Sequence, residues 1–311
     1  MKITVIGAGN VGATCANVLA QKELANQVVL LDIAEGVAEG KSLDIWQTSS
    51  VTNFDSRIIG VTNDYLATKG SSVVVITSGV PRKPGMSRGD LISTNAKIVK
   101  DVTEKVVKYS PTAIIVVVSN PLDVMTYVAY LSAHKKPCEV FGMAGILDSA
   151  RYKAFIADAL DVSPRDVSAL LLGGHGNSMV PLVRYTSVGG IPVTQLLDKS
   201  VLDKIVDRTR NGGGELVKLM GTSAWYAPGA AAAMMVEAIV RDQRRILPVC
   251  AYLNGQYGLS DIYMGVPVKL GKRGIIDIIE IDLNDEERGM LNDSAKEVTD
   301  LMKELDSMKL F

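Results

Sequence analysis

The sequence predicts an α/β protein, with a doubly wound parallel sheet in its N-terminal half and an α+β unit in its C-terminal half. Up to residue 143, short apolar runs alternate with stretches of helical periodicity, which is typical of βαβ units. Beyond it, apolar runs and a Gly189-Gly190 turn indicate antiparallel strands among longer helices. A chain of 311 residues suits two domains, and we expect them to cover residues 1–143 and 144–311.

Composition excludes several classes of protein. Hydrophobic residues make up 47%, charged residues 22%, and the net charge is -1, so neither nucleic acid nor a membrane surface is expected as a partner. Cys15, Cys138 and Cys250 are too scattered for a disulfide framework or a metal site. No targeting segment is visible, and the apolar stretch Ala224–Val236 is too short to span a membrane, so we expect a cytoplasmic location.

The first βαβ unit carries a dinucleotide-binding pattern. Lys2–Gly7 has the composition of a buried strand, and a G-x-G-x-x-G follows before a helix that runs to about Gln21. Gly7 would allow the tight turn, Gly9 the approach of a pyrophosphate, and Gly12 the packing of helix on strand. The N-terminus of the helix would present N–H groups and a partial positive charge to the phosphates.

The second strand, Val28–Leu31, ends in Asp32, which is 20 residues beyond Gly12. A carboxylate at this offset can accept hydrogen bonds from ribose hydroxyls. No arginine follows it, and Glu35 would repel a 2′-phosphate, so the sequence favours NAD over NADP.

More apolar runs, Arg57–Val61, Val73–Ile76 and Ala113–Val118, continue this pattern, with a helix predicted at Leu91–Tyr109. Alternation of this kind predicts a parallel, Rossmann-type sheet that binds its ligand at the carboxyl ends of the strands.

The stretch Ser78–Asp90 follows one of these strand ends and is rich in Gly, Pro and cations, so we predict a loop. Its cations are Arg82, Lys83 and Arg88, which suit a loop that clamps a small anion. The alternative is a solvated surface loop with ordinary cations.

Asn120 ends another strand, immediately before Pro121. Its amide could bond a nicotinamide or a substrate oxygen. The other interpretation is an Asn-Pro turn that caps a helix at Leu122–Leu131, and both could hold at once.

Asp148 and Arg151 are three residues apart at the start of a helix that is predicted to reach about Leu160, so they would share a face. The alternative is that Asp148 caps the helix and Arg151 is its surface partner.

The chain has two histidines. His134 lies at a helix end before a proline, and we expect it to be solvated. His175 follows a buried apolar run and is flanked by glycines that permit close approach, so it is the candidate base for alcohol oxidation. The alternative is a turn histidine bonded to the main chain.

The C-terminal half also supplies scaffold elements. Strands are predicted at Val183–Val188 and Ile262–Leu270, and a helical region at Asp198–Met220 with a bend or close packing at its triple glycine. An amphipathic helix, Asn284–Met308, closes the chain.

Taken together, these motifs resemble the lactate/malate dehydrogenase family from end to end. The segments that carry the resemblance are VIGAGNVG with Asp32, GVPRKPGMSR, VSNPLD, GILDSAR and GGHG. Arg82 is typical of the malate-specific members, whereas the lactate-specific members typically have Gln there. The resemblance implies reversible NAD-dependent oxidation of (S)-malate to oxaloacetate in a homodimer or homotetramer, with no metal.

The resemblance also implies roles for individual residues. His175 would take the substrate proton, Asp148 would hold the imidazole, and Arg88 would polarise the carbonyl. Arg151 would bind the C1 carboxylate, and Arg82 the second carboxylate. The residues expected at the cofactor are Gly7, Gly9, Asn10, Val11, Gly12, Asp32, Asn95, Val118 and Asn120; Asn120 would also touch the substrate.

Several alternatives stay open. Either Thr222 or Ser223 could offer the substrate a hydroxyl. The chain could instead act on lactate, or bind NAD(H) as a non-catalytic sensor, although a sensor would need no acid, base and anion-binding set.

Overall fold

The computed structural model describes residues 1–81 and 88–311. The N-terminal half alternates strands and helices: β1 (Lys2–Ile6), α1 (Asn10–Gln21), β2 (Gln27–Asp32), α2 (Val37–Gln47), α3 (Ser49–Thr52), β3 (Arg57–Thr62), β4 (Val73–Ile76), α4 (Arg88–Tyr109), β5 (Ile114–Val117), α5 (Leu122–Ala133) and β6 (Val140–Gly142).

These strands form a parallel sheet in the order β3-β2-β1-β4-β5-β6. Every residue of β4 is fully buried, as expected for a strand covered by helices on both faces. The strand order reverses between β1 and β4, and ligands bind at such a reversal in doubly wound folds. The predicted fold class is confirmed.

The C-terminal half begins with α6 (Gly145–Leu160) and contains the short strands β7 (Val167–Ser168), β8 (Leu171–Leu172), β9 (Val180–Pro181), β10 (Ser187–Val188) and β11 (Ile191–Pro192). After them come α7 (Lys199–Met220), α8 (Tyr226–Val240), β12 (Arg245–Asn254), β13 (Ser260–Gly271), β14 (Gly274–Ile278) and α9 (Asp285–Ser307).

The main sheet continues into this half. β12 pairs antiparallel with β6 through Cys250 and Gly142, and β13 and β14 extend the sheet to nine strands. One hydrophobic core accompanies it, with buried residues from Ile3 in β1 to Leu305 in α9.

Two predicted elements differ from the structure. Val183–Val188 is not a single strand: Val183–Tyr185 forms a 3-10 turn, and Ser187–Val188 is the part that pairs as a strand. Neighbours in a strand face opposite sides, but Arg184 and Tyr185 both donate to the carbonyl oxygen of Asp282, at 2.6 and 2.7 Å. The predicted loop Ser78–Asp90 also overlaps α4, which begins at Arg88.

The helices that were predicted with bounds agree with the structure to within a few residues. α5 extends two residues beyond the predicted end, to Ala133. α9 starts with a capping box in which Asn284 Oδ1 accepts the Glu287 N–H and Glu287 Oε2 accepts the Asn284 N–H. No helix in residues 1–81 and 88–311 combines the length and apolar character needed to cross a membrane.

Candidate active site

The glycine turn after β1 has the geometry of a phosphate-binding turn. Gly7 has a φ of +102°, and its N–H donates to the Leu31 carbonyl over 2.8 Å. A Cβ built on Gly12 would overlap the carbonyl oxygen of Gly7, so only glycine lets α1 pack this closely. Gly9 faces open space, and no side chain caps the N-terminus of α1. An anion can therefore approach the end of the helix dipole.

Asp32 lies at the end of β2, beside this turn. Its Oδ2 accepts the Ala8 N–H, and its Oδ1 accepts the Ala34 N–H at 2.9 Å. Each carboxylate oxygen has a second lone pair, which leaves capacity for ribose hydroxyls.

Lys41 was not predicted from the sequence. It reaches from α2 to donate to the Ala8 carbonyl at 2.7 Å, which brings a cation to the glycine turn. A single lysine in a helix gives no signal of its own, and only the packing of α2 reveals this position.

A cleft of about 290 Å³ lies at the carboxyl ends of β1, β4 and β5. It holds seven of the predicted cofactor residues, together with both candidate hydroxyls and Trp225, which the sequence did not single out. The residues that line it are Gly9, Asn10, Val11, Gly12, Thr77, Ser78, Gly79, Val80, Pro81, Asn95, Val118, Ser119, Asn120, Thr222, Ser223, Ala224 and Trp225.

The donors and the open space around this cleft fit a dinucleotide. The glycine turn and the uncapped helix suit a pyrophosphate, and Asp32 suits a ribose. A larger cavity, about 530 Å³, lies by Met1, Ser72 and Lys272 at the amino ends of β1 and β4, and it contains none of the predicted site residues. Doubly wound sheets bind ligands at the opposite ends of their strands, so we assign function to the smaller cleft.

Asn95 is a brace between two walls of the cleft. Its Oδ1 accepts the Val80 N–H at 2.8 Å, and its Nδ2 donates to the carbonyls of Val80 and Asn120 at 3.1 and 2.7 Å. The residue is 1% exposed. Asn95 therefore fixes the segment after β4 to the turn after β5.

Asn120 is exposed at the cleft. The N-cap of α5 is Pro121, with no side-chain hydrogen bond, so the alternative that Asn120 caps this helix is wrong. Its side chain faces solvent and lies within the group of residues that line the cleft.

His175 and Asp148 form a pair beside α5. His175 Nδ1 lies 2.9 Å from Asp148 Oδ2, and the Asp148 carboxylate is buried. Asp148 is the fourth residue of α6, whose N-cap is Ala144, so the alternative that Asp148 caps the helix is wrong. The His175 N–H donates to Asp123 Oδ2 at 2.9 Å, a partner that the sequence did not suggest.

Arg151 shares the Asp148 carboxylate, with its Nη1 at 3.4 Å from Oδ1. The side chain is 15% exposed, so Arg151 is not the surface partner of the alternative interpretation. Within the described residues, its Nε is buried and has no hydrogen-bond partner.

Gly212 leaves room for the Arg151 side chain. α7 is one continuous helix, and a Cβ built on Gly212 would lie 3.2 Å from Arg151 Cδ. Close packing, one of the two predicted outcomes, is therefore found at Gly212 of the triple glycine.

The surroundings of His175 favour its charged form. Burial of the imidazole lowers its pKa, but the charge and hydrogen bond of Asp148, together with the charge of Asp123, outweigh that effect and raise the pKa above its usual value. Arg151 opposes this rise only in part. His134, in contrast, is exposed at the end of α5, as expected.

The structure does not describe the side chains of two predicted substrate residues. Arg82 lies outside the described residues, as does Lys83. Arg88 is the first residue of α4, and only its main chain is described. Within the described part of the chain, no group of three or more His, Cys, Asp or Glu residues could hold a metal ion.

Comparison with known proteins matches both halves of the chain. Residues 1–142 match the family described as lactate/malate dehydrogenase, NAD binding domain. Residues 146–309 match the corresponding alpha/beta C-terminal domain.

Individual relatives match over nearly the full length. A malate dehydrogenase of Cytophaga hutchinsonii is 63% identical over 308 residues, which are 99% of each chain. The structure of malate dehydrogenase from Salinibacter ruber superimposes with a TM-score of 0.96 at 53% identity and 99% coverage of both chains. A Cryptosporidium parvum lactate dehydrogenase, complexed with lactic acid and the cofactor, gives 0.93 at 40% identity and 98% coverage of both. The chain therefore belongs to the lactate/malate dehydrogenase family of NAD-dependent oxidoreductases.

Proposed function

We propose that this chain is a malate dehydrogenase that catalyses the reversible NAD-dependent oxidation of (S)-malate to oxaloacetate. The observation that carries the proposal is the His175–Asp148 pair with Arg151 on the same carboxylate. This group lies against the first turn of α5, the helix that follows Asn120 and the cofactor cleft.

Asp148 sets the chemistry of the imidazole. When its Oδ2 accepts the Nδ1–H, the Nε2 atom carries the lone pair and acts as the base. His175 then takes the hydroxyl proton of malate, and Asp148 stabilises the imidazolium that forms. NAD, when bound, would accept the hydride that leaves the carbon bearing this hydroxyl.

The protonation state of His175 sets the pH dependence in each direction. Reduction of oxaloacetate needs a protonated imidazole, so its rate should fall as pH rises through the pKa of His175. Oxidation of malate needs the neutral imidazole and should rise over the same range. Because the pKa is raised, the protonated form extends to higher pH than for an ordinary histidine.

Arginines would hold the two carboxylates. Arg151 has one nitrogen at Asp148 and keeps other donors for a two-bond fork to the C1 carboxylate. From the family resemblance, Arg88 would polarise the carbonyl, and Arg82 would pair with the second carboxylate.

Substrate choice within the family depends on Arg82. The chain also resembles a lactate dehydrogenase closely, so overall similarity does not separate the two substrates. If the loop that carries Arg82 closed over pyruvate, the Arg82 guanidinium would have no counter-charge. An unpaired buried charge costs several kcal/mol. A site with such an unmatched group can reject an analogue by a factor of roughly 10⁴.

The test is the initial rate of NADH oxidation with oxaloacetate and with pyruvate, repeated with NADPH. We expect fast turnover of oxaloacetate alone and a preference for NADH. Arg82→Gln should lose most of this activity and gain some on pyruvate, whereas Lys83→Gln, which removes the neighbouring cation, should keep the original selectivity. Equal selectivity in the two variants would refute the role of Arg82.

NADH binding without turnover of either acid would instead favour the sensor alternative.

The homodimer or homotetramer, the cytoplasmic location and the division at residues 143 and 144 remain predictions from the sequence.

A further inference from the structure

Asp123 is a buried carboxylate that the proposed chemistry does not use. It is the second residue of α5 and is 5% exposed. Its Oδ2 accepts the main-chain N–H of His175 at 2.9 Å, and its Oδ1 accepts the thiol of Cys250, on β12, at 3.3 Å. Both oxygens therefore have donors, one from the candidate base and one from the antiparallel part of the sheet.

The segment that ends in His175 is fixed residue by residue. Gly173 forms a bridge with Gly265 of β13, with N–H···O distances of 2.9 and 3.1 Å. The Gly174 N–H donates to Ser294 Oγ of α9 at 2.9 Å. These three successive residues are thus anchored by Gly265, Ser294 and Asp123, and of these three partners only Asp123 has an ionisable side chain.

Among the described residues, a small set of titratable groups acts on His175 and Asp123. Asp148, Asp123 and Arg151 act on the imidazole, while His175, Cys250 and Asp148 act on Asp123. Burial, together with the charge of Asp148, raises the pKa of Asp123 above its usual value, and the His175 N–H, the imidazole and the Cys250 thiol oppose that rise only in part. Burial and the charge of Asp123 raise the pKa of Cys250, so this sulfur is a thiol donor and not a thiolate.

We propose that Asp123 is a positioning residue for His175: it anchors the main chain of the histidine and supplies a second negative charge near the imidazole. Cys250 supports it by donating to the other carboxylate oxygen. The inference rests on the proposed role of His175 as the base. It also joins the two sides of the site, because Asp123 lies three residues after Asn120 in the chain.

Asp123→Asn removes the negative charge of the side chain but keeps its hydrogen bond to the main chain of His175. The amide oxygen can still accept the His175 N–H, and the amide nitrogen can face the sulfur, but the negative charge is gone. A negative charge stabilises the imidazolium, so its removal should lower the pKa of His175. The pH at which kcat/KM for oxaloacetate reduction falls should then move to lower pH, with KM at low pH little changed.

The same shift is visible without turnover. The chain has two histidines, so the imidazole resonances can be titrated by NMR and assigned with His134→Gln. The His175 midpoint should move to lower pH in Asp123→Asn, while the exposed His134 serves as an internal reference. If the wild-type chain turned over neither acid, the proposed function would fail, yet this titration would still test the inference.

Two further variants test the main-chain hydrogen bonds that anchor the segment before His175. Asp123→Ala removes both anchor and charge, and misplacement of a base on the scale of 1 Å lowers kcat on the order of 100-fold. Ser294→Ala removes the neutral anchor of Gly174, so it should weaken kcat or stability without moving the His175 midpoint.

Cys250 provides an independent route if variants of Asp123 do not fold. Cys250→Ala leaves Asp123 Oδ1 without its donor, which disfavours the charged carboxylate, so the His175 midpoint should again move to lower pH. Cys250→Ser keeps a donor and should retain the wild-type midpoint. An unchanged midpoint in both Asp123→Asn and Cys250→Ala would overturn the inference and leave Asp123 a purely structural residue.

Discussion

At the residue scale, the position of Arg151 depends on the lack of a side chain at Gly212. Its aliphatic stem passes Gly212, where a Cβ would lie 3.2 Å from Cδ. Gly212→Ala should displace the Arg151 side chain by a few tenths of an ångström and so weaken its contact with Asp148. The two-bond contact between Arg151 and the substrate carboxylate would then be weaker in the bound ground state. KM for oxaloacetate should therefore rise about fivefold or more, and kcat should fall by a smaller factor. Steady-state kinetics would measure both constants.

Gly214 provides the matched control on the same helix. Its built Cβ meets nothing within 4 Å, and the residue is exposed. Gly214→Ala should stabilise α7 by about 0.5–1 kcal/mol and leave KM unchanged. If the two alanine variants have the same KM, Gly212 does not position Arg151.

The individual site residues differed in how far the sequence could identify them. His175 was a candidate because histidine is scarce and glycines flank it, and the structure places it on Asp148. Asp123 was not, because its partners His175 and Cys250 are 52 and 127 residues away. Only the folded sheet brings Cys250 next to α5, and no local pattern encodes that distance.

At the element scale, the N-terminus of α1 separates folding from cofactor binding. A Cβ on Gly9 would meet nothing within 4 Å, and its φ of -62° suits any residue. Gly9→Ala should therefore fold normally but fill the space for the pyrophosphate. We expect the Kd for NADH to rise about tenfold, which corresponds to about 1.4 kcal/mol, in a fluorescence titration.

An alanine at an open glycine away from the cleft controls for the substitution itself. Gly289, in α9, also meets nothing within 4 Å. Gly289→Ala should leave the Kd for NADH unchanged. An unchanged Kd in Gly9→Ala as well would show that the pyrophosphate does not occupy this space.

Strongly periodic elements were predictable, and irregular ones were not. Asn284–Met308 was predicted as a helix, and Asn284 and Met308 are the caps of α9. β12 was not predicted, since Pro248 within it argues against a strand. Pro248 faces Pro267 of β13, so both prolines are accommodated at one place in the ladder. Such a match between distant positions cannot be found by a local pattern.

At the scale of the whole molecule, the parallel half was predictable because alternation of strand and helix restricts its topology. Its continuation was not: β12 joins β6 through the pair of Cys250 and Gly142, across more than a hundred residues of sequence. In the described residues, a nine-stranded main sheet runs through both halves, and smaller sheets of three and two strands lie in the C-terminal half. Shared sheet and shared core should make the two halves unfold together.

The two tryptophans can test this, because the chain has one in each half. Trp46 lies in α2 beside Phe54 and Arg57, and Trp225 precedes α8 at the cleft. Trp225→Phe and Trp46→Phe leave one reporter each. Urea titrations followed by fluorescence should give the same midpoint in both variants, as expected for one cooperative unit.

Saturating NADH should raise both midpoints equally, since a ligand at 100 times its Kd stabilises the whole cooperative unit by about 2.7 kcal/mol. Two separate midpoints, with NADH moving only one, would instead show that the halves unfold independently despite the continuous sheet. In that case the single ladder pair between β6 and β12 would be a weak hinge, and the predicted division near residue 143 would mark two folding units. Coincident midpoints would mean that the base on one half and the cofactor turn on the other are held by the same folding equilibrium.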